Sequence, residues 1–226
     1  SLAPTNEAAH YGTYYFINNV APVSLFAYRN TATSPTVTDQ PDDVTATIGL
    51  GEHSAPVTFT AAATGAPAPT LRWQVRRSAG ASWQDVAGAT SATLAFDAVR
   101  SDQGSEYRAV FENAGGAIAS EPAPLEVRAV PEVLVQPSDV TVTEGSAAVL
   151  KVGPAGNPYP DIQWQRRVGG FWIDIQDADD GFLTIEDANL DMSGTKLRAR
   201  LSNDLATVYT RTTTLTVKPA PPAEVT

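Results

Sequence analysis

The sequence predicts an all-β protein made of two tandem β-sandwiches behind a short aromatic segment, and three observations carry that prediction. A tryptophan strand occurs twice, Leu71-Arg72-Trp73-Gln74-Val75-Arg76 returning as Ile162-Gln163-Trp164-Gln165-Arg166-Arg167. The two tryptophans stand 91 residues apart, as do Gly65 and Gly156, which precede them by eight residues with a Pro-x-Pro between. That period is a domain length, well beyond the ~20–50 residues of a solenoid unit. From Val37 onward, apolar and polar residues alternate in short runs broken by Gly, Pro, Asn and Asp, the pattern of half-buried strands. No stretch sustains a 3.6-residue apolar period, which confines helices to single turns.

The chain opens on a segment unlike the rest. Six of its Phe and Tyr residues (Tyr11, Tyr14, Tyr15, Phe16, Phe26 and Tyr28) fall within residues 11–28, and no charge lies between Glu7 and Arg29. Tyr14 to Ile17 and Val20 to Tyr28 read as two short strands about an Asn18-Asn19 turn, because Asn tolerates the positive φ of a hairpin loop. Pro22 limits the second arm to a sheet edge. A lone hairpin is marginal in water. With Ile17, Val20, Val23 and Leu25 added to the aromatics, this one is too apolar to stay solvated. These ten residues, Tyr11 to Tyr28, are therefore expected to attach the protein to a neighbouring copy or to a scaffold protein. Residues 1–35 are read as this anchoring segment and its linker, the linker being Thr31 to Pro35.

The strands of the first sandwich, residues 36–129, follow in order. Val44 to Ile48 alternates, and Val57, Phe59 and Ala61 share one face. Trp73 and Val75 face inward, then come Thr93 to Phe96, Glu106 to Phe111 and Leu125 to Val127. About seven short strands with frequent turns make a sandwich. The second copy, residues 130–219, matches it strand for strand: Gln40-Pro41 reappears as Gln136-Pro137, Leu94 and Phe96 as Leu183 and Ile185, Asn113 as Asn203, and Leu125 with Val127 as Leu215 with Val217. A short connection is expected at Ala129-Val130-Pro131. Residues 220–226, rich in Pro and Ala, are a tail.

Both repeats resemble disulfide-free I-set immunoglobulin-like domains of bacterial and phage surface proteins. The resemblance rests on the Gln-Pro opening, the Gly-x-Pro-x-Pro before the Trp strand, the Asp and Gly before the sixth strand (Asp102 with Gly104, Asp191 with Gly194), and the Asn after it, Asn113 or Asn203, followed in the first copy by Gly115-Gly116. It implies that Ala61 with Ala109, and Val152 with Ala199, fill the positions where many immunoglobulin domains carry a cysteine bridge. It also implies that Tyr107 is a tyrosine corner, for which Leu197 stands in the second copy. The family implies display and binding rather than chemistry, and fold alone names no ligand.

Composition bounds the function. The formal charge of −10 and pI near 4.6 argue against nucleic acid as partner, which demands a concentrated basic surface. No cysteine is present, so there is neither a disulfide nor a thiolate ligand. No run approaches the ~18 apolar residues of a membrane span. The only histidines, His10 and His53, lie in different regions and near no nucleophile motif. The acids Asp174, Asp177, Asp179 and Asp180 are out of register for a calcium loop, and no Glu closes it. No catalytic residue, metal or cofactor is therefore assigned.

One patch stands out. Strand parity puts Gln163, Gln165, Arg167, Lys196, Arg198 and Arg200 on the solvent face of the second sandwich, a basic island on an acidic chain. The polar outer face of an antiparallel sheet accounts for it; as a functional site it would dock an acidic neighbour. The expectation is a non-enzymatic, extracellular or surface-exposed protein whose sandwiches project from a virion shell or cell-surface filament. The alternative is glycan-binding or spacer modules of a long secreted enzyme or adhesin, with surface glycans as a further class of partner.

Overall fold

A computed structural model describes residues 32–221. The hairpin expected over residues 11–28 and the tail residues 222–226 lie outside them. The first repeat contributes β1 (Thr33–Asp39), β2 (Val44–Ile48), β3 (Ser54–Thr60), β4 (Ala62–Ala66), β5 (Thr70–Arg76), β6 (Gln84–Asp85), β7 (Thr93–Val99), β8 (Glu106–Asn113), β9 (Gly116–Ala119) and β10 (Ala123–Val135). The second contributes β11 (Val140–Thr143), β12 (Ala148–Lys151), β13 (Gly153–Asn157), β14 (Asp161–Val168), β15 (Phe171–Asp174), β16 (Phe182–Ile185), β17 (Lys196–Ser202), β18 (Thr207–Tyr209) and β19 (Thr213–Lys218). The two helices among the described residues are single 3-10 turns, Arg100–Asp102 and Leu190–Met192.

The pairing is that of an immunoglobulin-like sandwich. In the first copy β1 pairs with β4 and β3 with β7 on one side. On the other side β6, β5, β8 and β10 are neighbours, and β2 lies parallel to β10. The second copy repeats this with β12 against β16, with β15, β14, β17 and β19 in sequence, and with β11 parallel to β19. Alternation decides what enters the interior. Val57, Phe59 and Ala61 are buried as expected, and so are Leu197, Ala199 and Leu201.

Each core is centred on a tryptophan with no exposed surface, Trp73 or Trp164. The indole N–H, which cannot be left unpaired in an apolar interior, donates to the Ser91 carbonyl at 2.9 Å and, in the second copy, to the Asp180 carbonyl at 2.9 Å. Opposite the tryptophans in the ladder stand Ala109 and Ala199. These and Ala61 and Val152 are buried, so small apolar side chains fill the space a bridge would take. Phe59, Phe96 and Tyr107 add an aromatic cluster to the first core, with the Tyr107 ring 4.8 Å from Phe59 and 5.2 Å from Phe96.

Matching sequence motifs do matching work. The Gln40 side chain accepts from the Glu121 amide and Gln136 from the Arg211 amide, both at 2.9 Å, so each Gln-Pro ties the first strand to the last. The Asn113 amide donates to the carbonyls of Thr33 and Pro67, both at 2.8 Å, and Asn203 donates to those of Ala129 and Pro158, both at 3.0 Å. A Cβ on Gly65 would stand 2.8 Å from the Asn113 amide nitrogen, which explains the glycine ahead of the Pro-x-Pro. Because Thr33 is held this way, strand begins there, inside the stretch read as linker.

The junction between the repeats also differs from the expectation. No connecting loop exists: β10 runs through Ala129-Val130-Pro131, pairing with β2 over Leu125 to Ala129 and with β13 from Ala129 to Val135. Pro131, which reads as a breaker, lies where the ladder with β13 shifts register, so its missing N–H costs no rung. Asn157 donates to the Val127 carbonyl, Arg128 pairs with Asp204, and Arg100 pairs with Glu132 at 3.1 Å.

Two outcomes are expected. Trp73→Ala and Trp164→Ala should each cost about 3–5 kcal/mol, and denaturant melts followed by NMR should show the mutated core lost first. Burial, reinforced by the Asp102 carboxylate and partly opposed by Arg77, pushes the Tyr107 hydroxyl up to about 12. Its unfolded value is near 10, so this stabilisation is complete below pH ~10 and is lost as pH rises toward the folded value. Alkaline titration should therefore weaken the first core before the second, where Leu197 replaces the tyrosine, and Tyr107→Phe should remove that difference.

Candidate binding face of the second sandwich

The outer face of β14, β15, β17 and β18 holds most of the basic island. At its centre Gln165, only 5% exposed, donates to Asp174 at 2.7 Å and accepts from the Arg198 Nε at 2.8 Å. The Arg198 guanidinium lies 4.3 Å from the centre of the Trp172 ring and 3.9 Å from that of Tyr209, a planar cation between two aromatic faces. Arg200 reaches Asp174 at 3.4 Å, and the Lys196 Nζ donates to the Thr214 hydroxyl at 2.6 Å. Arg167 is exposed and has no acidic partner among the described residues. Gln163 is the exception: its amide donates to the Trp164 and Ile175 carbonyls at 3.0 and 2.8 Å, so it braces the turn that follows β15.

Sequence parity found the cations and missed Trp172, Asp174 and Tyr209, which complete the face. The signal was present in the repeat, since Trp83-Gln84-Asp85 returns as Trp172-Ile173-Asp174. The first sandwich carries the same relay. Gln74 donates to Asp85 at 2.8 Å and accepts from Arg108 at 2.9 Å, and Arg108 lies 4.2 Å from the Trp83 ring. Arg76 flanks that ring as well, at 4.8 Å. Burial lowers the pKa of both Arg108 and Arg198, helped by Arg76 and Arg72 in the first case; in the second Arg200 adds to the shift and Tyr209 opposes it.

Other titratable groups converge less. His53 is exposed in the loop before β3. A cleft over the first core holds Asp102, whose carboxylate is occupied by Arg77 at 2.9 Å and the Val99 amide at 3.0 Å. Among the described residues no group of three or more acidic or histidine side chains is placed to hold a metal ion, and no helix is long and apolar enough to cross a membrane. Of the acidic stretch read against a calcium loop, Asp174 serves Gln165 and Arg200, while Asp180 accepts from the amide of Gly181. The residues expected to anchor the chain, Tyr11 to Tyr28, lie outside the described residues.

The stacked arginine makes a measurable claim. A double-mutant cycle on Arg198→Ala and Tyr209→Ala should give a coupling of about 0.5–1 kcal/mol. The equivalent pair Arg108 and Ala119 in the first sandwich, where no ring stands beside the arginine on that side, should give none when Ala119 is replaced by Gly.

No model of a protein family matches the chain. Over 188 residues, 82% of its length, it is 44% identical to endoglucanase C of Cellulomonas fimi, but it spans only 16% of that protein. It is 33% identical over 90 residues to the human leucine-rich repeats and immunoglobulin-like domains protein 2, spanning 38% of this chain and 8% of the relative. Among solved structures, the N-terminal four immunoglobulin domains of Dscam1 isoform 7.44 superpose on 84% of the chain with a TM-score of 0.64 at 22% identity, this chain covering 47% of that one. A titin structure superposes on 82% of the chain and is itself covered in full, with a TM-score of 0.59 at 18% identity. By strand order, core and these likenesses, the described chain is a tandem of immunoglobulin-like β-sandwich domains.

Proposed function

We propose that the chain is a non-catalytic spacing and presenting module of a longer secreted protein, with residues 36–129 and 130–219 as its two disulfide-free I-set domains of bacterial type. The observation that carries the reading is β10, one strand whose backbone pairs with the first sandwich over its first half and with the second over its last. A hinge needs residues free to change φ and ψ; at this junction the backbone is committed on both sides of Ala129, and Arg128, Asn157 and Asn203 bind across it. A pair held in this way sets the distance and orientation of whatever it joins. The 44% identity to endoglucanase C supports a setting in which one neighbour acts on polysaccharide. It also favours the spacer reading over projection from a virion shell or filament. In this reading residues 11–28 pack against the adjoining part of the assembly.

Spin labels test it directly, because the chain has no cysteine of its own. With labels at Thr58→Cys and Val149→Cys, both exposed strand positions, electron–electron distance measurements should return one narrow distribution. Asn203→Ala, which removes the clasp on Ala129, combined with Arg128→Ala should broaden it. A broad distribution in the unaltered chain would mean a flexible tether, and the spacer reading would fail.

A further inference from the structure

The two sandwiches share a scaffold but differ in charge at equivalent positions of one face. In the first, three arginines meet three carboxylates: Arg72 pairs with Glu112 at 2.9 Å and with Asp85 at 3.5 Å, Arg76 pairs with Glu106, and Arg108 sits on the relay. In the second, the positions of Arg72, Glu112 and Glu106 hold Gln163, Ser202 and Lys196, and that of Val110 holds Arg200. Four cations, Arg167, Lys196, Arg198 and Arg200, then face a single carboxylate, Asp174, so a neutral surface has become one of net charge +3. Arg76 and Glu106 stand directly opposite each other in the ladder, and one step beyond the Arg166 and Leu197 rung the second copy sets Arg167 against Lys196. Like charges opposed across a sheet destabilise it. Solubility does not explain their gathering on one face, since the chain is acidic overall.

The aromatic residues differ as well. Trp83 is covered by two guanidinium groups, whereas only that of Arg198 stacks on Trp172. Tyr209, 47% exposed, stands where the first copy has Ala119. Lys196, Arg198 and Arg200 alternate along β17, which sets their backbone positions about 7 Å apart in a line.

From these differences we propose that this face binds an acidic polysaccharide, a chain of uronic acid type, with its carboxylates on Arg167, Lys196 and Arg200 and its sugar faces against Trp172 and Tyr209. A line of cations fits a polymer with regularly repeated carboxylates. Guanidinium groups take carboxylates in bidentate fashion, and the apolar C–H faces of a pyranose pack on aromatic rings as other apolar surfaces do. Arg198, held by Gln165 and both rings, fixes the spacing of the platform. The proposal stands whether or not the junction is stiff, because it rests on the second sandwich alone.

Electrophoresis of the full chain through gels containing polygalacturonate at low salt tests it, with gels containing neutral hydroxyethylcellulose as the comparison. The unaltered chain should be retarded by polygalacturonate alone, less so as salt is raised. Lys196→Glu, which recreates the first sandwich's ion pair, should weaken binding about tenfold, and Tyr209→Ala should weaken it about threefold. Circular dichroism melts would establish that both variants remain folded. Glu106→Lys with Glu112→Ser, which gives the face of the first sandwich the same net charge, should strengthen retardation. Absence of retardation, or a folded Lys196→Glu variant that binds like the unaltered chain, overturns the proposal. So does a concentration-dependent dimer in sedimentation that Lys196→Glu dissolves, which would assign the face to a second copy.

Discussion

The fold depends on two indole rings held without a covalent staple. Removing a bridge from a small sandwich ordinarily costs about 2–5 kcal/mol. Here the strands that a bridge would join carry Ala61 with Ala109, and Val152 with Ala199, all buried, leaving room for Trp73 and Trp164 to sit fully inside. The indole nitrogen of each then fixes a loop that follows it, through Ser91 or Asp180. Small apolar side chains take the volume that sulfur would have filled, and a directional hydrogen bond keeps the ring packed beside them in one orientation.

The same economy governs the outer faces. In each copy an arginine, a glutamine and an aspartate form one relay beside a tryptophan, with N–H and oxygen partners matched. The relay is part of the scaffold, since it is present where the surrounding charges are balanced and where they are not. Around it the first sandwich closes its ion pairs upon itself, each worth roughly 0–1 kcal/mol at a surface. The second leaves cations open. What differs between two copies of one fold marks function more sharply than what they share.

Much of this was legible in the sequence because strand parity and a 91-residue repeat are both periodic signals. Ala61, Ala109, Val152 and Ala199 were located by the register that the immunoglobulin resemblance implies, and the basic face by alternation. Two features were not legible. Pro131 reads as the end of a strand, and only a shift of register at that point lets β10 continue through it. Trp172, Asp174 and Tyr209 lie on strands of four and three residues, too short for a two-residue period to declare which way they face. The masking of their role by the neighbouring acids Asp177, Asp179 and Asp180 added to the difficulty, since composition draws attention to charge before geometry.

The parallel pairing of β2 with β10 and of β11 with β19 bears on how the molecule carries load. In each sandwich a strand near the entrance lies beside the strand that leaves, and both point the same way. Tension drawn along the polypeptide pulls such partners past one another, so every rung of the ladder must be strained at the same moment. An antiparallel hairpin pulled from its open end would instead unzip one rung at a time. A chain with this geometry resists stretching along its own length without needing a sulfur bridge to do so.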